Sequence, residues 1–209
     1  MNHILLMENR EFEYRFYNYD KHNIIIKLKE LNAIQVHDFV KYEFIVFNHP
    51  LKKKDYIRLR NENNIYKLTH KIYDNLFPQE TEITVDNFQI TCDMLLKLGC
   101  TIKYKFEKLR EKWIIDNTEI VFDMYPGMNE YMEIESNSID ELNKYTILLN
   151  LNIKNHKWIP LNVRYKYIYG FTNIPENLTF ENVEEKMKPL IKKNILDFNK
   201  NIIFQKKFI

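Results

Sequence analysis

The chain has 209 residues, 45% of them hydrophobic, 29% charged and 14% aromatic, a folded composition long enough to bury a core without staples. Its three glycines, Gly99, Gly127 and Gly170, lie far apart; this excludes a P-loop and a GxGxxG turn, so any phosphate is held mainly by side chains. Thirty-one Lys and Arg against 29 Asp and Glu leave a charge of +2, no field that draws the chain to nucleic acid or to a membrane. Cys92 and Cys100 make no CxxC and the six histidines no zinc spacing, so a reduced, cytoplasmic protein is expected. The opening MNHILLMENREFE meets charges too early for a signal peptide, and no apolar run approaches a membrane span of about 20 residues.

Alternating polarity predicts a first strand over residues 10–18 (REFEYRFYN), after which Asp20 caps a helix with Ile24, Ile25, Leu28 and Leu31 at helical spacing. Residues 39–47 (FVKYEFIVF), rich in aromatic and β-branched side chains, and 55–60 (DYIRLR), 65–72 (IYKLTHKI) and 80–85 (ETEITV) read as further strands. Asp86 opens a second helix carrying Phe88, Cys92, Leu95 and Leu96 and ending at Gly99. Strands follow over 101–115, 118–125 (TEIVFDMY) and 130–135 (EYMEIE), the first two joined by a tight turn at Asp116-Asn117. A third helix begins near Ser138 with Leu142, Tyr145, Leu148 and Leu149, and a last one runs from about Val183 to Asp197 with a kink at Pro189. No low-complexity linker divides the chain, so residues 1–180 form one domain and 181–209 a helical extension of it. About eight strands with helices between them argue for an α+β fold: an antiparallel sheet or barrel with helices outside.

The charges carry the functional signal. Glu11, Glu13 and Arg15 share one face of the first strand; Arg58 and Arg60 share a face of another, as do Lys67, Thr69 and Lys71 of the next. Lys108 aligns with Arg110, Val121 with Asp123, and Tyr131 with Glu133 and Glu135. A half-buried sheet ordinarily turns charges to water. Repeated like charges, however, repel their neighbours unless the opposite sign lies between them, and the uncharged faces are the ones helices must cover. If the sheet closes into a barrel, the charged faces line its lumen. The complementary ligand is a polyanion carrying Mg²⁺ or Mn²⁺: carboxylates take the metal, Arg forks onto phosphate oxygens and Lys adds point charge.

These residues resemble the CYTH superfamily, the triphosphate tunnel metalloenzymes, over roughly residues 9–180. EFEYRF, with Arg15 in a lysine position, is similar to the family's ExExK signature. YIRLR, KLTHK, ETEITVDNF with LLKLG, FEKLREKW and FDMYPGMNEYMEIES resemble its later strands, in its order, and Tyr169-Gly170 with Leu178-Thr179-Phe180 its closing segment. The resemblance implies a closed antiparallel eight-stranded β-barrel, the triphosphate tunnel, with helices packed outside. It implies Glu11, Glu13, Asp123, Glu133 and Glu135 as metal ligands, with Glu11, Glu13, Glu133 and Glu135 serving catalysis. Arg15, Arg58, Arg60, Lys71, Lys108 and Arg110 would hold phosphates, while Glu80 and Glu82 occupy the midpoint acidic strand without an assigned part.

The activity so implied is metal-dependent hydrolysis of a triphosphate such as tripolyphosphate, thiamine triphosphate or ATP. Class IV adenylyl cyclisation of ATP, RNA 5′-triphosphatase action and non-catalytic binding of a polyphosphorylated ligand are the alternatives. No DNA or membrane partner is expected, and the protein is expected as a monomer or homodimer. Tyr14, Phe44, Tyr104 and Trp113 are candidates to stack a base, yet among 14 Tyr and 14 Phe an aromatic on a strand is expected in the core. No base-recognition motif stands out, and residues 181–209 suggest no chemistry.

Overall fold

The computed structural model describes residues 12–51, 55–72, 79–171 and 175–209. It contains strands β1 (Phe12–Phe16), β2 (Ile34–Asn48), β3 (Tyr56–Glu62), β4 (Ile65–Ile72), β5 (Gln79–Val85), β6 (Thr101–Ile115), β7 (Thr118–Met124) and β8 (Tyr131–Ser136). They form one antiparallel sheet in the order β1-β8-β7-β6-β2-β3-β4-β5. Two-residue turns at Asn63-Asn64 and Asp116-Asn117 join β3 to β4 and β6 to β7. Asn63, Asn64 and Asp116 have φ of 51°, 69° and 48°, the left-handed backbone that Asn and Asp tolerate. Register shifts between β2 and β6 at Gln35/His37, His37/Val40 and Val46/Phe47 bend the two long central strands.

The barrel does not close. β1 and β5 end the order and do not pair with each other among the described residues; the sheet curls into a half-barrel. At the β1 edge, the Lys157 N–H donates to the Arg15 carbonyl at 3.0 Å, so the chain after the third helix takes a position that a closing strand needs. Pairing β1 with β5 would also bring Glu13 toward Glu80 and Glu82, and like charges across a ladder destabilise it.

Helices α1 (Lys21–Glu30) and α3 (Ile139–Leu148) cover the convex face. There Ile24, Leu28, Leu142 and Leu149 bury Tyr14, Phe16, Leu109, Trp113, Ile120, Phe122, Met132 and Ile134, each such side chain contributing roughly 1.5–3 kcal/mol. α2 (Phe88–Lys97) covers Ile45, Phe47 and Leu59 with Cys92 and Leu95. Asp20 and Ser138 cap α1 and α3 as predicted. The cap of α2 is Asn87, one residue after the expected Asp86, its side chain accepting from the Ile90 N–H at 2.9 Å.

The C-terminal part departs furthest from expectation. An unforeseen α4 (Leu161–Tyr169) is followed by α5 (Val183–Met187) and α6 (Ile195–Gln205). The predicted helix over Val183–Asp197 is therefore two helices. Pro189 lies in a single 3₁₀ turn, Lys188–Leu190, because its ring cannot continue the α-helical ladder, and Asn194 turns the chain at φ 60°. α4, α5 and α6 build a third core from Tyr165, Tyr169, Phe171, Met187, Phe198 and Ile202 around Met128. Among the described residues, no helix is long and apolar enough to cross a membrane.

Candidate active site

Residues opposite one another in an antiparallel ladder share a face. The register therefore puts Glu13 and Arg15 (β1), Glu133 and Glu135 (β8), Asp123 (β7), Lys108 and Arg110 (β6), Arg58 and Arg60 (β3), Lys67, Thr69 and Lys71 (β4) and Glu80 and Glu82 (β5) on one concave face. Glu11 lies outside the described residues. The alternation that placed these charges opposite the helices is what the ladder shows, and it brings them together in two groups.

The first group centres on Asp123, which is 0% exposed. Arg110 donates from Nε to Oδ1 and from Nη2 to Oδ2, and Lys108 Nζ donates to Oδ2, all at 2.7 Å. Arg110 Nη2 also donates to Glu133 Oε2 at 3.1 Å. Arg15 bridges onward, its Nε 2.7 Å from Glu133 Oε1 and its Nη2 3.0 Å from Glu13 Oε1.

Burial alone would raise the Asp123 carboxyl, but Arg110 and Lys108 hold it well below the usual carboxylate range. Burial likewise opposes charge on Arg110 and Arg15, and Asp123 with Glu133 for the first, Glu133 with Glu13 for the second, more than offset it. Lys108 fares differently. Burial and the neighbouring Arg110 push it down to about 8 despite Asp123. Arg110 forks onto Asp123 through two atoms, which leaves Lys108 as the second cation on an already compensated carboxylate.

The second group is looser. Glu82 Oε2 accepts from Arg60 at 3.0 Å and from the Thr69 hydroxyl at 2.7 Å, while Lys67 lies 3.0 Å from Oε1. Burial works against the Glu82 charge; Arg60, Thr69 and Lys67 nevertheless bring its carboxyl down to about 2. Lys71 pairs with Glu80, and Arg60 also pairs with Glu62. Among the described residues Arg58 is held least: its Nη2 lies 3.5 Å from Glu80 and 4.0 Å from Glu82, and its buried Nε has no hydrogen-bond partner there. Burial and repulsion from Arg58 together lower Arg60. Glu80 and Glu82, whose part was open, thus pair with Arg58, Arg60, Lys67 and Lys71, and Lys67, Thr69 and Glu62 join residues named from sequence.

For a divalent metal, the donor chemistry fits. Glu13 faces Glu135 across β1 and β8, two carboxylates of like charge in one ladder position, hard oxygen donors between which a cation would relieve repulsion. Asp123 and Glu133 are the more occupied donors: Arg110 and Lys108 take both Asp123 oxygens, and Arg15 and Arg110 take one each of Glu133. Among the described residues, no three His, Cys, Asp or Glu side chains are gathered for a metal.

Sequence reasoning missed the contribution of the C-terminal part. The Arg164 guanidinium carbon, on α4, sits 4.5 Å from the centres of both the Tyr17 and Tyr131 rings, which stack on each other at 5.5 Å. Gln205 on α6 grips the β7–β8 connection: its Oε1 accepts from the Gly127 N–H, and its Nε2 donates to the Tyr125 and Met128 carbonyls, each at 2.9 Å. Gly127, at φ +73°, lies where an added Cβ would come within 2.6 Å of the Phe198 ring. The connection between Asp123 and Glu133 is thereby held by a helix that reads from sequence as an ordinary tail.

Among solved structures, a suggested adenylate cyclase from Vibrio parahaemolyticus superimposes with a TM-score of 0.64 at 11% identity, covering 74% of this chain and 97% of that one. Two proteins from Pyrococcus horikoshii give TM-scores of 0.58 at 16% identity (70% and 94% covered) and 0.56 at 21% identity (75% and 98% covered). At these identities the likeness speaks for the fold. No curated protein sequence matches the chain. The profile of the CYTH domain matches residues 9–154, from β1 past α3; with that span, this strand order and this charged face, the chain belongs to the CYTH domain family.

Proposed function

We propose that the chain is a divalent-metal-dependent triphosphatase whose concave face holds the substrate's phosphates. The observation that carries this reading is the placement of acidic and basic groups from seven of the eight strands on one face, with guanidinium and ammonium groups on both sides of it. Glu13, Glu133 and Glu135 would hold Mg²⁺ or Mn²⁺, which supplies Lewis acidity toward phosphate oxygens.

Phosphoryl transfer asks the protein for positioning and charge compensation more than for covalent chemistry. Arg58, Arg60 and Lys71 grip the chain of phosphates, and Arg58, with its unsatisfied Nε, loses least by turning to a new acceptor. Arg15 neutralises charge on the other side, since a guanidinium does not accept a proton. Arg110 is fixed by Asp123, so Asp123 acts as a positioning residue. Glu133 or Glu135 orients the attacking water toward the terminal phosphorus. The carboxylates and cations neutralise one another on this face; Glu13, Glu133 and Glu135 would hold the divalent cation, and Arg15, which pairs with Glu13 and Glu133, would then be available to phosphate.

The test is product identification after incubation with tripolyphosphate, thiamine triphosphate, ATP and triphosphate-ended RNA, each with Mg²⁺ or Mn²⁺. Orthophosphate supports the proposal. Cyclic AMP with pyrophosphate assigns adenylyl cyclisation instead, and binding without any product assigns a non-catalytic binder.

A further inference from the structure

The charge of +2 averages two unequal parts. Residues 1–154 carry 21 Lys and Arg against 24 Asp and Glu, whereas residues 155–209 carry 10 against 5. The excess is steepest around α6: residues 191–209 hold five lysines, and Asp197 is the one acidic residue among them.

Helical spacing divides α6 into two faces. Phe198, Ile202 and Gln205 are buried toward Tyr169 and the β7–β8 connection. Leu196, Lys200 and Ile203, with Lys207 just past the helix, recur every three or four residues on the opposite side. Leu196 is 72% and Ile203 67% exposed. Lys200 is exposed with Asp197 at 4.0 Å, and Lys207 lies 5.6 Å from the centre of the Phe204 ring. Lys192 and Lys193 precede the helix and make no ion pair among the described residues; Lys193 Nζ stands 5.3 Å from the centre of the exposed Tyr167 ring. Lys206, by contrast, is engaged by Glu184.

A lone exposed Leu or Ile is ordinary. Two on one stripe, interleaved with lysines, restrict what can cover it. A second copy of the chain, seated face to face, would set lysine against lysine. A nucleic-acid strand would satisfy the lysines but offers Leu196 and Ile203 no apolar partner, and base stacking needs rings. A negatively charged lipid surface meets both demands: aliphatic side chains enter the acyl boundary while long lysine stems keep their charges among the headgroups. We propose that the outer face of α6, with Lys192 and Lys193 ahead of it, is a peripheral contact surface for an anionic lipid bilayer. α6 has 11 residues, a length of about 16 Å, roughly half a bilayer core, so it rests on the surface and does not span it. The contact uses no residue of the concave face and stands apart from the triphosphatase reading.

The experiment is co-sedimentation of the full chain with vesicles of phosphatidylcholine alone or of phosphatidylcholine with about a third phosphatidylserine, at low and high salt. Binding to the anionic vesicles that falls with salt, and little to the neutral ones, is expected. Leu196→Ser with Ile203→Ser should weaken it roughly 10-fold or more. Lys192→Gln with Lys193→Gln should weaken it by about 5-fold per lysine. All four positions are exposed, so urea unfolding close to that of the parent separates a lost contact from a lost fold, and the comparison of lipids in the unmodified chain stands without any variant. Absence of binding to the anionic vesicles, or equal binding to the neutral ones, overturns the proposal. So does binding that the lysine pair weakens and the aliphatic pair does not, which is charge attraction alone. Tighter binding of single-stranded RNA, weakened by the lysine pair only, assigns the surface to nucleic acid; self-association that the aliphatic pair abolishes assigns it to a second copy. Either result overturns the lipid contact.

Discussion

Around Asp123, hydrogen bonds of 2.7 Å from Arg110 and Lys108 leave neither carboxylate oxygen vacant, whereas Arg58, on the other side of the same face, has among the described residues no carboxylate nearer than 3.5 Å and a buried Nε without a hydrogen bond. Both groups are built from Arg, Lys, Asp and Glu on alternate strand positions. They differ in depth and in support. The Asp123 group lies on β6, β7 and β8, with α6 gripping the connection beside it; the Arg58 group lies on β3, β4 and β5 toward an open end of the sheet. The same ionic chemistry thus serves rigidity where it is saturated, and where it is not it leaves the cations that the proposed function assigns to phosphate.

Removing Arg110 tests the rigid half most severely. Arg110→Ala leaves buried Asp123 with Lys108 as its remaining cation among the described residues, and should destabilise the fold by about 3–5 kcal/mol, read by urea unfolding. Arg58→Ala, in contrast, should change stability by less than about 1 kcal/mol; equal losses would erase the distinction between the groups. Gln205→Leu should come next, at about 1–3 kcal/mol for carbonyls and an N–H left unsatisfied, and should lower activity by displacing the Asp123–Glu133 connection. Gly127→Ala, which forces a Cβ onto Phe198, should act in the same direction.

Arg58→Ala then sharpens the capturing half: loss of a charge-assisted contact should raise KM for a triphosphate roughly 10- to 100-fold with an unfolding curve close to that of the parent.

The smallest expected effects are those of pH, and the two halves should respond in opposite ranges. Lys108 has a folded pKa near 8, below its usual 10.5. The unfolded lysine therefore holds its proton longer, and this group favours folding increasingly as pH rises from about 8 to 10.5, while the same deprotonation weakens phosphate binding above pH 8. Glu82 has a folded carboxyl near 2 against a usual 4.5. Its contribution to stability is present above pH 4.5 and is lost as pH falls toward 2. Lys108→Met should flatten the alkaline fall in affinity, and Glu82→Gln the acid fall in stability; denaturant midpoints and KM measured across pH check both.

Much of the site was legible because a strand has a period of two. Glu13, Arg15, Arg58, Arg60, Lys71, Lys108, Arg110, Asp123, Glu133 and Glu135 could be assigned to one side by counting alternate residues, and the ladder register places them there. Glu80 and Glu82 shared the same alternation, but their pairing with Arg58, Arg60, Lys67 and Lys71 depends on β5 lying against β4, a neighbour relation that periodicity does not contain. Arg164 and Gln205 offered no signal. Their aromatic and backbone partners lie 33 or more residues away in the chain, and an Arg in a helix or a Gln near a terminus is ordinarily solvated.

What the sequence determined by itself is local: which residues alternate, where Asp20 and Ser138 start helices, where Asp116-Asn117 turns the chain, and that no glycine-rich loop holds phosphate. Tertiary structure alone decided that the sheet stops at a half-barrel, that its ionic residues divide into a saturated group and a yielding one, and that the last helices reach back to the β7–β8 connection. The reason is physical. Alternation and capping depend on neighbours in the chain, while closure and ion pairing depend on which distant segment lies against an edge or a charge.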